Sequence, residues 1–179
     1  METEDIKQQR RYSPEVRRTM ILDKTAEIIN ADGISNLSME KISKSADISK
    51  SLMYKYFDSL TDLLRILLKR ELVALQSKQR AAAEKSDTFE ALVRNITHEY
   101  LAFIAEHGLV IERLQTEPSL ADSNDPTDCG RAAAVEYLTP IIAETFHMPI
   151  ELARMATDLS FGLPSAAGYC LSRNDVDLA

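Results

Sequence analysis

The segment between residues 50 and 56 carries side chains of the types that contact nucleic acid. Drawn as a helix of about 100° per residue, it places Met53 and Phe57 on one side, where they face a core. The outward face combines cations, hydroxyls and one apolar tip: Lys50, Ser51, Leu52, Tyr54, Lys55 and Tyr56. Lysine binds phosphates or guanine, hydroxyl groups reach phosphates, and a leucine tip touches a thymine methyl group. The face suits a helix in a DNA major groove; a solvated helix with two half-buried tyrosines would show the same pattern.

Two short capped helices and a longer one are expected to position this face. The first helix begins with Ser13 as its N-cap and Pro14 at its first position, and it ends at Gly33. Ser38 caps the second helix and Ser49 the third. Two short helices separated by a tight turn form a helix-turn-helix, although any small helical bundle can contain such a corner.

Basic side chains are concentrated in the first 80 residues. They hold 15 Lys and Arg against 12 Asp and Glu, whereas residues 81–179 hold 6 against 16. The formal net charge of −7 therefore combines a basic front of +3 with an acidic back of −10. This asymmetry has two explanations of equal weight. The basic first 80 residues bind a polyanion, or their basic face is merely solvated.

The rest of the chain is expected to be helical, which makes the fold all-α. Helix four begins at Ser59 with Asp62 as its capping partner and could reach Ala83. Helix five begins at Asp87 and Glu90 and ends at Gly108, and a short helix follows up to Pro118. Residues 119–128 form a loop. Further helices are predicted over 130–146, kinked at Pro140, and over 149–171, with Pro164 inside it.

Composition excludes several classes of protein. With 45 % apolar and 27 % charged residues, the chain is not disordered as a whole, and five glycines and six prolines are too few for an all-β fold. The start is acidic and polar, unlike a secretory signal, and no uncharged stretch reaches the roughly 20 residues of a membrane span. Cys129 and Cys170 lie far apart, which suits a reducing compartment. We expect a cytoplasmic protein with no membrane partner.

Residues 14–68 resemble the tetracycline-repressor (TetR) family of bacterial transcription regulators. The resemblance is carried by the runs Met20–Gly33, Ser38–Ala46 and Ile48–Phe57 followed by Leu63-Leu64. It implies a flexible tail over 1–12, a helix-turn-helix DNA-binding domain over 13–58, and a helical dimerisation and effector-binding domain over 59–179. It also implies that Ser38 and Tyr54 bind phosphates, while the groove-facing helix presents Lys50, Ser51, Leu52, Lys55 and Tyr56.

Three positions depart from the family pattern. Asp47 replaces a turn glycine, Ser51 replaces a common glycine, and Leu60 replaces a phosphate-binding lysine. Aspartate tolerates the left-handed conformation moderately well, so the turn is expected to survive. Leu60 removes one cationic contact, which should lower DNA affinity and its salt dependence by about one phosphate contact.

The resemblance further implies a dimeric regulator, mostly a repressor, that binds a palindromic DNA operator and is released by a small-molecule effector when helix four moves. Apolar and aromatic helix faces predict a mainly apolar pocket. Its candidate residues, each of which is better explained as plain core than as a ligand contact, are Leu67, Tyr100, Phe103, Ile104, His107, Tyr137, Ile141 and Phe161.

Small residues are crowded near the end of the chain and are candidates for the homodimer interface: Gly162, Ser165, Ala166 and Gly168. Tight packing inside one subunit would explain them as well. The family usually has a further long helix after this one, for which residues 173–179 are too few. The dimer would then use another arrangement, or the chain is a shortened version.

Other chemistry is sparse. His98, His107 and His147 lack the spacing of metal ligands, and neither a nucleophile elbow nor a glycine-rich phosphate loop is present. We therefore expect no metal, no cofactor and no enzymatic activity. One alternative stays open from another class: a helical dimer that binds a protein partner and has lost DNA binding, which Asp47 and Leu60 favour. A third alternative, an all-α enzyme, is not supported by any set of catalytic residues in the sequence.

Overall fold

The structure, a computed structural model, describes residues 13–120 and 126–174. These two ranges hold eight α-helices and no strand, which confirms the predicted all-α class. The helices are α1 (Pro14–Asp32), α2 (Met39–Ser45), α3 (Lys50–Met53), α4 (Leu60–Glu84), α5 (Phe89–Gln115), α6 (Pro126–Phe146), α7 (Ile150–Ser160) and α8 (Gly162–Asn174). A 3₁₀ turn covers Pro118–Leu120. The predicted tail over 1–12 and part of the predicted loop, residues 121–125, lie outside the described residues.

The chain divides into two compact units inside α4. One unit ends at Leu63 and the other begins at Leu64. The first contains α1, α2, α3 and the first residues of α4, and the second contains the remainder of α4 and all later helices. Across the described ranges, no helix is long and apolar enough to cross a membrane.

The first helix begins and ends where its sequence predicts. The Ser13 hydroxyl accepts a hydrogen bond from the backbone N–H of Val16 at 3.3 Å, and Pro14 is the first helical residue. The pKa of Glu15 is lowered because its carboxylate accepts hydrogen bonds from its own backbone N–H and from Ser13. The helix ends at Gly33, whose φ of 79° with ψ of −173° lies in a region that is essentially restricted to glycine.

The corner between α2 and α3 is closed by two backbone hydrogen bonds. The N–H of Ile48 donates to the carbonyl of Ser43 at 3.0 Å, and that of Asp47 donates to Lys44 at 3.3 Å. This pair of bonds is the Schellman motif, which needs a left-handed residue just after the helix. Asp47 supplies it with a φ of 50°. The turn therefore survives the replacement of glycine by aspartate, as expected.

Helix α4 carries a leucine stripe and a reciprocal cap. The Ser59 hydroxyl accepts from the N–H of Asp62 at 3.0 Å, while the Asp62 carboxylate accepts from the N–H of Asp58 at 3.2 Å. Leu60 is only half-buried. The other six leucines of the stripe are buried, as an amphipathic helix requires: Leu63, Leu64, Leu67, Leu68, Leu72 and Leu75.

Two predicted boundaries of helix five are wrong. Its N-cap is Thr88 rather than Asp87, since the Thr88 hydroxyl accepts from the N–H of Ala91 at 3.1 Å. The helix also continues through the buried Gly108 to Gln115. Interior glycine costs a helix about 1 kcal/mol, and the burial of two further turns, including Ile111 and Leu114, outweighs that cost.

The last predicted helix is two helices. Helix α7 ends at Ser160 and α8 begins at Gly162, so that Pro164 is the third residue of α8. Proline fits there because the N–H groups of a first helical turn have no partner within the helix. By contrast, α6 runs through Pro140 without ending.

The left-handed Asp47 allows a test of the corner. Replacing Asp47 with Gly should raise the opening free energy of α2 and α3 by about 0.5–1 kcal/mol, because glycine adopts a positive φ without steric cost. Asp47→Asn removes the same charge and keeps a side chain, so it should change stability little. Hydrogen exchange of the amides of α2 and α3 in the full chain measures the effect. Equal gains in the two variants would assign it to charge instead of backbone conformation.

Candidate DNA-binding interface and ligand cavity

The helix-turn-helix exposes most of the predicted contact face. Met53 and Phe57 are buried, so they anchor α3 in the first unit as its pattern predicts. Four of the predicted contact residues are exposed: Lys50, Ser51, Tyr54 and Lys55. Leu52 and Tyr56 are half-buried, which gives both side chains partial contact with the protein itself. The outward surface is thus more cationic and more polar than the helical wheel alone indicates.

The two serine caps leave their side chains near the outside. The Ser38 hydroxyl accepts from the N–H of Lys41 at 3.1 Å, and the Ser49 hydroxyl accepts from the N–H of Leu52 at 3.2 Å. Both serines are exposed. Each hydroxyl keeps its own proton as a donor, so Ser38 can cap α2 and still donate a hydrogen bond to a phosphate.

Ion pairs hold the two lysines of α2 but neither Lys50 of α3 nor Lys55 just after it. Lys41 pairs with Asp32 at 2.7 Å, and Lys44 pairs with Glu40 at 2.8 Å. Within the described ranges, Lys50 and Lys55 form no ion pair. Of the lysines of this corner, these two are therefore the ones whose ammonium groups are available to an anionic partner.

A carboxylate that the sequence did not single out lies near this face. The pKa of Glu40 is lowered, first by the hydrogen bond from Lys44, then by the positive charges of Lys44 and Lys50. The same hydrogen bond raises the pKa of Lys44. The i, i+4 spacing of Glu40 and Lys44 is the signal that could have revealed the pair. Arg18 of α1 is also engaged, since its guanidinium lies 5.5 Å from the ring centre of Phe57.

The second unit contains a cavity of about 700 Å³, inside the usual range for small-molecule sites. Most of its wall comes from α5, α6, α7 and α8, with Gln79 from α4. The lining residues are Gln79, Phe89, Val93, Ile96, Thr97, Tyr100, Leu101, Leu138, Ile142, Phe146, Met148, Ala156, Ser160, Phe161, Leu163, Pro164, Ser165 and Ala167.

Tyr100 occupies a confined place in this wall. Burial raises the pKa of its hydroxyl, and a hydrogen bond with Ser165 opposes the shift. Gly168 lies directly against it: a Cβ atom at Gly168 would be 3.0 Å from Ile104 Cγ2 and 3.2 Å from Tyr100 Cε1. Glycine at this position therefore lets α8 approach α5 closely.

The cavity includes two of the eight residues predicted for a pocket, Tyr100 and Phe161. The other six lie elsewhere. Leu67, Phe103 and Ile104 are buried, Ile141 is half-buried, and Tyr137 is exposed.

His107 has a partner of its own outside the cavity wall. Its Nδ1 lies 2.9 Å from Oε2 of the buried Glu71. Arg70 contacts the other carboxylate oxygen of Glu71, Oε1, at 2.8 Å. The His107 ring stacks on that of Phe103 at 4.3 Å. Most of the missed cavity residues are apolar side chains of ordinary helical periodicity, so no local signal distinguishes them from core. Among the described residues, no three His, Cys, Asp or Glu side chains cluster as metal ligands would.

The small residues of α8 have different surroundings. Gly168 is buried inside this chain against α5, whereas Gly162, Ser165 and Ala166 are exposed. The sequence did not single out the exposed apolar stripe that α7 presents nearby: Leu152, Met155 and Leu159 are 52 %, 62 % and 74 % exposed. Their i, i+3, i+7 spacing, typical of helix pairing, is the signal that could have identified them.

Comparisons with known proteins agree with this architecture. A family profile described as bacterial regulatory proteins, tetR family, matches residues 21–66. The nucleoid occlusion factor SlmA of Actinobacillus pleuropneumoniae serotype 5b (strain L20) is 25 % identical over 110 residues, 61 % of this chain. The matched segment covers 54 % of that relative, so the chain spans about half the length of the curated relatives it matches.

Solved structures share the fold over nearly the whole chain. A TetR-like transcriptional regulator from Rhodococcus sp. RHA1 has a TM-score of 0.74 and 18 % identity, covering 93 % of this chain and 90 % of its own. The fatty acid degradation regulator FadR from Bacillus halodurans has a TM-score of 0.73 and 18 % identity, with 90 % and 88 % covered. At such identity these two likenesses establish the fold alone. Residues 21–66 are thus similar to the tetR family of bacterial regulatory proteins, and the chain shares its fold with a TetR-like transcriptional regulator.

Proposed function

We propose that this protein is a ligand-responsive regulator that binds a palindromic DNA operator as a homodimer and is released by a small molecule held in the cavity. The observation that carries the proposal is the coexistence of two sites in one chain. An exposed cationic helix-turn-helix face lies in the first unit, and an apolar cavity of about 700 Å³ lies in the second.

Contacts to DNA would divide by chemistry. The exposed Lys50 and Tyr54, with Ser38 at the start of α2, suit phosphate oxygens, which fix the position of a protein on DNA without reading sequence. Ser51, Leu52, Lys55 and Tyr56 remain for the groove and its base edges. Asp47 and Glu40 add negative charge to the same corner, which opposes phosphate binding and limits affinity for random DNA.

Helix α4 could couple ligand binding to DNA release, because this one helix belongs to both units. Gln79 of α4 lines the cavity, and the first residues of the same helix belong to the helix-turn-helix unit. A ligand that favours one position of α4 would bias the position of the recognition helix, because a continuous helix transmits displacement along its axis. This coupling requires the ligand to bind the two states with different affinity.

Selection of bound sequences from random double-stranded DNA by the purified full chain tests the proposal. Recovery of inverted repeats that bind much more tightly than genomic fragments is expected. The competing function, a dimeric protein-interaction module without DNA binding, predicts no enrichment and no salt-dependent shift with genomic DNA. That result would reject the regulator.

Lys50→Ala and Tyr54→Phe should weaken binding to the selected operator and to random DNA by the same factor, because phosphate contacts carry no sequence information. The loss at Lys50 should shrink as salt rises, since removing one contact lowers the salt slope by about one counterion. Titrations at several salt concentrations measure both effects. Lys69→Ala, which removes an exposed lysine of the second unit, and Tyr137→Phe are the matched controls. A change of operator preference with unchanged affinity for random DNA would contradict the backbone assignment.

Leu52 should contact a thymine methyl group. Wild-type protein is expected to lose affinity when one thymine per half-site is replaced by uracil. The affinity of Leu52→Ala should not change with the same replacement. A good base contact is worth about 1–3 kcal/mol of discrimination. Since Leu52 is half-buried, the folded fraction of the variant is measured first by circular dichroism. Equal losses in both proteins, or no loss in either, would reject the contact.

The homodimer should form through the exposed stripe of α7. Its two α3 helices should then lie about 34–36 Å apart, because this distance is one helical turn of DNA. Leu159→Glu should shift the chain to monomer in sedimentation at micromolar concentration, because a buried unpaired carboxylate is costly. Val73→Glu, at a similarly exposed valine of α4, should leave the dimer intact. A wild-type monomer that DNA does not change would exclude the symmetric operator.

A further inference from the structure

The cavity wall has no charged side chain among the described residues that line it. Its eighteen lining residues include no aspartate, glutamate, lysine, arginine or histidine. This is notable in a part of the chain where acidic side chains are abundant, since residues 81–179 have a net charge of −10. An ionic ligand would therefore lose water in this wall without meeting an opposite charge, which is unfavourable.

Hydrogen-bonding groups occupy a small part of the wall. Thr97 and Tyr100 lie three residues apart on α5, so they share one face of that helix. Ser165 donates to the carbonyl of Phe161 at 2.8 Å and also lies within hydrogen-bonding reach of the Tyr100 hydroxyl. Within the described part of the chain, the side chains of Thr97 and Gln79 make no hydrogen bond. Two half-buried polar side chains of the cavity wall thus retain unused hydrogen-bonding capacity, and one of them, Thr97, shares a helix face with Tyr100.

Aromatic rings supply much of the remaining wall, but they do not form an open cage for a cation. Phe89 and Phe146 contact each other edge to face, with ring centres 5.3 Å apart and planes at 87°. In this geometry one ring edge already occupies part of the other ring's face. The surface offered to a ligand is therefore mainly aliphatic and aromatic area for dispersion and hydrophobic contact.

We propose that the cavity binds an uncharged, mainly apolar molecule with a single hydrogen-bonding group, and that this group lies against Thr97 and Tyr100. This assignment rests on the proposed function, because it takes from it that a ligand occupies the cavity. It goes further by excluding fatty carboxylates, coenzyme thioesters and lipophilic cations as preferred ligands.

Three probes of equal chain length separate the chemical classes. Calorimetric titration of the full-length protein with 1-octanol, octanoate and octylammonium at neutral pH compares a neutral, an anionic and a cationic end group. Octanol should bind at least tenfold more tightly than either ion. Tighter binding of octanoate or of octylammonium, or no binding of any probe, would overturn the inference.

Two variants locate the polar group of the probe. Tyr100→Phe and Thr97→Val should each weaken octanol binding about fivefold, the loss typical of one hydrogen bond. Butylbenzene, which has no polar group, should bind wild type and both variants alike, and this also verifies that the cavity stays folded. Tyr137→Phe removes a hydroxyl outside the cavity and should change neither affinity. Unchanged octanol affinity in both cavity variants would overturn the placement of the polar group.

A separate titration distinguishes the ligand class from regulation. Octanol is added to the complex of the protein with its selected operator, and release is followed by fluorescence anisotropy of the DNA. Preferred binding of octanol without release supports the ligand class and contradicts ligand-controlled repression. Release by octanoate with weak binding of octanol supports ligand control and overturns the neutral class.

Discussion

The orientation of α3 depends on two constraints: the corner closed by the backbone hydrogen bond from Ile48 to Ser43 at 3.0 Å, and the burial of Met53 and Phe57. Helix α3 has a single turn, too little to hold a direction by its own hydrogen bonds. The left-handed Asp47 reverses the chain after α2, and the burial of Met53 and Phe57 then fixes which side of α3 faces the core. The outward position of Lys50 in α3, and of Lys55 just after it, follows from these two constraints.

The beginnings of the first four helices were predictable because capping is a local interaction. A serine hydroxyl reaches the N–H of the residue three positions on, so Ser13, Ser38 and Ser49 determine their helices whatever packs on them. The leucine stripe of α4 was predictable for a similar reason, since its period is set within one helix. At 87 and 88 two residues of the capping type stand side by side, and the sequence analysis chose Asp87 where Thr88 is the N-cap.

The cavity was harder to predict because it depends on contacts between helices. Periodicity identifies the apolar side of α5 but does not say which neighbour covers each turn. Tyr100 lies in the cavity, whereas Phe103, three residues on, is buried core, and His107 is drawn to Glu71 of α4. Gly108 is a further example: its local cost predicts a helix end, and burial of the residues that follow overrides it. Such outcomes are set by tertiary packing.

Helix α8 connects the cavity to the surface where we place the dimer. Gly168 leaves no spare space against Tyr100 and Ile104, so a ligand that displaces the tyrosine ring must also shift α8 or be excluded. Ser165, one turn earlier on α8, shares a hydrogen bond with the same hydroxyl. Helix α7 precedes α8 with a single intervening residue and carries the exposed stripe. In a dimer that pairs through α7, occupancy of the cavity would therefore alter the separation of the two DNA-binding units by way of the interface as well as by way of α4.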